Sequence, residues 1–471
     1  MVVPLVSIIL ALCSGLVLAF LLLRLLIRTQ DQLPDLPRGN LGWPLLGETI
    51  GFLKPHKSNS LGGFLQEHCS RYGRIFRSHL FGSLTIVSCD HEFNMFILQN
   101  EGKLFQASYP KPMQDILGKH SFLTVSGDFH KKLRTFALNF ISTSKSSPDF
   151  FGFVEHHTIS MMDSWRSCKE VPFYKEVKEF TLNTMLKQLL NVTPEDPISS
   201  VILEDFETYM KGFVSLPLNI PGSAYAKAVK ARARLSSTVS AIMTEREQRN
   251  VGVIEGGDFF AAMMSNGGLS FEEKLSIILD LLLGGYETTA TLLSLIVYFL
   301  GHAPNALETL KEEHQRIRKS KENGEPLTWA DYKKMQFTYN VTCEAMRCGN
   351  VVKFVHRKAI QDVKYKEFHI PSGWKVFPVL MAPNFDPTLH ENPSEFNPWR
   401  WFVETTSRKV APFGGGPRLC PGAELAKVEV AFFLHHLVLN YRWKTKADDY
   451  PLAHPYVLFR RGLVLEIEPI R

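Results

Sequence analysis

The sequence predicts a mainly α-helical fold with small β-sheets, and three observations lead there. Helical spacing of apolar residues dominates after residue 60. Strand-like alternation is confined to a few short runs. One long apolar helix pattern fills residues 275–301. Composition is that of a globular chain, 45% hydrophobic and 21% charged, which argues against disorder. A length of 471 residues would by itself suggest about three domains. The net charge of +6 is spread along the chain with no dense basic block, so a nucleic-acid partner is not expected.

The N-terminus carries no charge from Val2 to Leu23, and Arg24 and Arg28 follow at once. That run can cross a bilayer core of roughly 30 Å. Its arginines come after the apolar stretch, which favours a retained anchor with the bulk of the chain cytosolic over a cleaved signal peptide. The expected organisation is a transmembrane signal anchor over 1–27, a proline-rich hinge over 28–46 with Pro34, Pro37 and Pro44, and one domain over 47–471.

Along that domain, strand-like runs are 83–89 (SLTIVSC), 362–370 (DVKYKEFHI), 374–380 (WKVFPVL) and 463–470 (LVLEIEPI). Residues 275–301 are long enough for a second membrane span, but Asp280 and Glu287 lie two turns apart on one face with Gly284-Gly285 between them. Charges at membrane depth are costly, so a helix through a large protein core, with polar groups at a cavity, is the better reading. The apolar SLPLNIPGS ahead of the basic AYAKAVKARAR reads as a loop and surface helix, or as a segment resting on a membrane. The seven cysteines are odd in number, form no CxxC and show no zinc spacing, so a disulfide framework is not expected.

One of them, Cys420, is presented by PFGGGPRLCPG over 412–422. Glycines on this scale let backbone turn sharply or approach a ligand closely. A thiolate is a soft ligand for iron, and a helix beginning just after it favours negative charge. Arg418 offers a bidentate donor for a carboxylate, and Phe413 can shield the sulfur. A lone cysteine after a turn is more often simply packed. A nucleotide loop is excluded, because GGGPRL lacks the last glycine of GxGxxG and any GK[ST]. No partner histidine marks Cys420 as a nucleophile.

The loop resembles the haem-binding signature of the cytochrome P450 superfamily, Phe413-x-x-Gly416-x-Arg418-x-Cys420-x-Gly422. Four further motifs resemble the superfamily's in the same order: His130–Arg134, Gly284–Thr289, Glu344-x-x-Arg347 and Phe396–Trp401. The resemblance implies the P450 fold with an N-terminal anchor helix, and haem b held by Cys420 as thiolate ligand to its iron. It implies haem-binding roles for His130, Arg134, Arg357, Phe413, Arg418 and Gly422. Glu287 and Thr288 are then the acid–alcohol pair that delivers protons, and Glu344, Arg347 and Arg400 a structural ion triad. The finer resemblance is to a plant clan that oxidises steroids and related terpenoids, within it to the brassinosteroid branch that hydroxylates the sterol side chain at C-22. Implied partners are an apolar sterol, an NADPH-dependent reductase and the endoplasmic reticulum membrane. Other terpenoid hydroxylases share these motifs, whereas an oxygen-independent isomerase is disfavoured by Glu287-Thr288 and a silent sterol carrier by Cys420. Departures from the pattern are Cys348-Gly349 after Arg347, Met346, Asn384 where many relatives carry histidine, and a short connection from Trp401 to Pro412.

Overall fold

A computed structural model describes residues 35–470 except 44–45, 145–146, 214, 216, 249–262, 264–267, 323, 404–405, 407–408 and 455. The expected anchor and the first part of the hinge lie outside the described residues. The chain forms two compact units: one from residues up to Lys54 with Gly62–Ser108 and Phe354–Val379, the other from Pro55–Leu61, Tyr109–Lys353 and Leu380–Arg471.

The smaller unit is built on a five-stranded sheet in the order Ile75–Leu80, Ser83–Ser88, Lys375–Pro378, Arg357–Ala359, Phe105–Ala107. All neighbours are antiparallel except Ser83–Ser88 with Lys375–Pro378. Alternate residues bury one face, with Ile75, Ile86, Phe105, Ala359 and Val376 packed against Phe93 and Ile97 of helix His91–Gln99. Asp90 caps that helix, accepting the Phe93 N–H at 2.8 Å. The run 362–370 is a hairpin rather than one strand. Lys366 takes a φ of +52° and turns the chain, so Val363–Tyr365 pairs with Phe368–Ile370.

The larger unit is helical, packs around a large apolar core and, among the described residues, carries two three-stranded sheets. Its central element is helix Phe271–Gly301. Ser270 and Glu273 start it with a reciprocal capping box, at 2.9 and 3.2 Å. Leu and Ile around its circumference make it hydrophobic on nearly every side, and accordingly it is buried on nearly every side, as expected for a core helix. Helix Phe173–Leu190 packs along it at close range. A Cβ on Gly285 would come within 2.5 Å of Met185 Cγ and Sδ, so this glycine is a contact point between two helices. Gly284 differs: a Cβ there meets nothing within 4 Å. The pair read as one break in the helix wall therefore has two separate causes.

Candidate haem site

Cys420 closes its loop with its own backbone, donating its N–H to the Phe413 carbonyl at 3.0 Å. Two residues between them need positive φ, Gly414 at +76° and Gly416 at +64°, which is why glycines crowd this stretch. Helix Ala423–Asn440 begins three residues later, with Gly422 as N-cap, so Pro421 sits ahead of the helix rather than in its first turn. Phe413 is half-buried against the core. The Cys420 side chain is open to solvent-sized contact, yet surrounding protein pushes its thiol pKa up, opposed by the Gly422 N–H and by Arg134.

The same character appears on the central helix. Gly284 and Thr288, one turn apart, are exposed, while Tyr286 and Thr289 on the same stretch of helix are buried. Thr288 turns its hydroxyl back onto the Gly284 carbonyl. Glu287 faces the neighbouring helix. Its Oε1 accepts from Tyr174 Oη at 2.6 Å and from Lys178 Nζ at 3.0 Å, and its Oε2 is buried with no hydrogen-bond partner among the described residues. Acid and alcohol thus project from adjacent positions toward different partners.

Asp280, one turn before Gly284, is buried and accepts from Ser121 Oγ at 2.9 Å and the Phe122 N–H at 2.8 Å. Burial raises its carboxyl to about 7, against those two hydrogen bonds and the charge of Arg232. From the other side Arg418 donates to the carbonyls of Phe122 and Leu123, both at 3.2 Å, and to Val125. Residues 121–125 therefore join the central helix to the cysteine loop. Arg134 stands close enough to Cys420 and Arg418 to interact electrostatically with both, and His130, one turn earlier on the same helix, is buried. Arg357 belongs to the smaller unit, where its Nε lies 2.7 Å from Glu101 Oε2 and both side chains are buried.

Glu344, Arg347 and Arg400 form the expected triad. Arg347 grips Glu344 with Nε and Nη2, each at 2.8 Å, and Arg400 Nε reaches Oε1 at 2.9 Å. Trp401 Nε1 at 2.9 Å and the Asn397 N–H at 2.8 Å bring the N–H donors on this carboxylate to five among the described residues, and Cys348 Sγ adds a thiol at 3.8 Å. Glu344 is 0% and Arg347 1% exposed. Burial alone would raise Glu344, but the arginines and these donors hold its carboxyl below the ordinary range. Arg347 Nη1 donates to the carbonyls of Asn384 and Pro393, at 2.7 and 2.6 Å, and Nη2 donates also to that of Glu395 at 2.9 Å. Asn384, unusual in sequence, serves here through its backbone. Trp401, Tyr174, Lys178 and the 121–125 segment were not legible as site residues: each acts across elements, and no local spacing marks it.

The donor set fits haem. A soft sulfur, a helix start and Arg134 stand together at Cys420. Gly284, Gly414 and Gly422 each have open space where a side chain would be, and Thr288 is exposed beside Gly284. A family model described as Cytochrome P450 matches residues 37–470. Similar curated proteins include Cytochrome P450 724B1 of Oryza sativa subsp. japonica, 55% identical over 93% of this chain and 92% of its own. Cholesterol 22-monohydroxylase CYP90B52 of Paris polyphylla is 45% identical, covering 94% and 96%. The Steroid (22S)-hydroxylase of Brachypodium distachyon is 44% identical, covering 94% and 90%. Among solved structures, retinoic acid-bound cyanobacterial CYP120A1 superposes with a TM-score of 0.83 at 26% identity, over 93% of this chain and all of that one. With family motifs in order, the family's fold and relatives aligned almost end to end, the chain belongs to the cytochrome P450 family of haem-thiolate monooxygenases.

Proposed function

We propose that this P450 hydroxylates the side chain of a sterol-type steroid, at C-22, with O2 and electrons from an NADPH-dependent reductase at the endoplasmic reticulum membrane. The observation that carries the substrate is the pair of plant relatives named as 22-hydroxylases of cholesterol and of steroids, at 45% and 44% identity over nine-tenths or more of each chain. Leu218 and Ile220, 51% and 58% exposed ahead of helix Ala224–Gln248, suit a surface that rests on lipid.

Bound here, haem supplies the oxidising power that inserts one oxygen atom into a C–H bond. Cys420 would hold the haem iron through its sulfur, its thiolate form favoured by the Gly422 N–H and the Arg134 charge. Arg134, Arg418 and His130 would hold the carboxylates of the cofactor, and Phe413 would keep water from the sulfur. Thr288 places a hydroxyl on the exposed side of the helix, and Glu287 supplies the proton that passes through it.

The test is turnover of the membrane-bound protein with cholesterol and campesterol-type sterols, a plant reductase and NADPH, with products identified by mass spectrometry and NMR. A hydroxyl at C-22 supports the reading. A normal carbon monoxide spectrum without product overturns the substrate and points to another terpenoid.

A further inference from the structure

Glu287 is held in a way that its proposed proton-delivering role does not by itself require. Helix Phe173–Leu190 sends Tyr174 and Lys178, one turn apart, onto the same carboxylate oxygen. Lys178 is fixed in turn by two aromatic faces, 4.4 Å above the Tyr174 ring and 5.7 Å from Tyr286. Tyr174 Oη also meets Thr291 Oγ1 at 3.1 Å, one turn beyond Glu287 on the central helix. Gly285 makes this reach feasible, because it lets Met185, three turns along the same helix, lie against the central helix.

All of this restraint falls on Oε1. Oε2 is buried without a partner among the described residues. Lys178 and Glu287 keep 21% and 17% of their side chains accessible, so the clamp reaches the solvent-facing margin of the two helices. A free carboxylate on a helix samples several rotamers, whereas one fixed by a charged and a phenolic donor on a single oxygen keeps one.

We propose that Tyr174 and Lys178 are positioning residues for Glu287, holding its carboxylate in one rotamer through Oε1 and leaving Oε2 as the oxygen that exchanges protons. The inference rests on the proton-delivering role proposed above. Proton gain and loss at Glu287 then fall to Oε2, while Tyr174 and Lys178 keep their own protons.

The experiment uses the full-length, haem-loaded protein with its reductase. It measures product and peroxide per O2 consumed and the solvent deuterium isotope effect on product formation, alongside the crystal structure of each variant. Tyr174→Phe and Lys178→Met are each expected to lower product per O2 by about 5- to 10-fold, a fraction of what a general acid contributes. Glu287 should be rotated off the helix in both structures, with spectral substrate affinity unchanged. Lys178→Arg should restore coupling, which a purely structural role would not predict. Glu287→Gln sets the limit. If it uncouples while Tyr174→Phe and Lys178→Met stay coupled with Glu287 in place, the positioning role alone is overturned. If Glu287→Gln itself stays coupled, the acid role falls first and the positioning role with it.

Discussion

Glu344→Gln probes the buried ion cluster most directly, because glutamine keeps the shape of the side chain and leaves no cavity. What changes is charge and donor count. Oε2 now serves Arg347 Nε and Trp401 Nε1, and Oε1 serves Arg347 Nη2, Arg400 Nε and the Asn397 N–H. Whichever way the amide sits, at least two N–H donors face an NH2 group, and two guanidinium charges lose their counter-charge. Removing one partner of a buried pair costs about 3–5 kcal/mol. Unfolding entropy near 2.1 cal/mol/K per residue gives roughly 1 kcal/mol/K for a chain of this length, so melting should fall by about 3–5 °C. The assay is differential scanning calorimetry in detergent at one scan rate, with haem retention followed by the carbon monoxide difference spectrum. A variant melting within about 1 °C of the parent, haem intact, would refute the counter-charge argument. The pH dependence gives a second check. Despite its burial, Glu344's folded carboxyl lies below the ordinary glutamate range, held there by Arg347 and Arg400. Its stabilisation is therefore complete above the unfolded value and lost as pH falls through the folded one, so the Gln variant should show a smaller loss in acid than the parent.

Further outcomes follow from other residues. Cys420→Ala should abolish the thiolate-type carbon monoxide spectrum, and an unchanged spectrum would remove Cys420 as ligand. Thr288→Ala should divert O2 to peroxide while sterol binding persists, read by oxygen electrode against product. Gly285→Ala should destabilise by about 1–3 kcal/mol through its clash with Met185. Gly284→Ala, with open space around it, should melt like the parent and alter only catalysis or substrate binding. Burial pushes the Glu429 carboxyl up to about 8. The parent's stability should therefore decline at this group as pH rises from the unfolded carboxyl range toward 8, and Glu429→Gln should flatten that slope in pH-dependent melts.

Helices and the cysteine loop were legible because their causes are local. Apolar spacing sets the helix faces, and the glycines at 414 and 416 are there because the backbone takes positive φ. Glu344 and Arg347 announced themselves by standing three apart on one helix. Strands of three residues, such as Phe105–Ala107 and Arg357–Ala359, carry no periodicity of their own and exist only through pairing distant in sequence. Gly285, indistinguishable from Gly284 in sequence, proves to be a helix contact, since the sequence does not say which side of a helix its neighbour occupies. Tyr174 and Lys178 were unreadable for the same reason: their shared partner lies on another helix.

The segment 121–125 bears on how this protein can be recombined. Its bond from Ser121 reaches Asp280, 159 positions away, and its bond to Arg418 spans 296. A cysteine loop moved alone into another member of the family would arrive with an arginine whose carbonyl partners the new host must itself supply. The exchangeable unit is thus three short stretches far apart in the gene, and crossovers that separate them should yield chains that fold around a loosened sulfur.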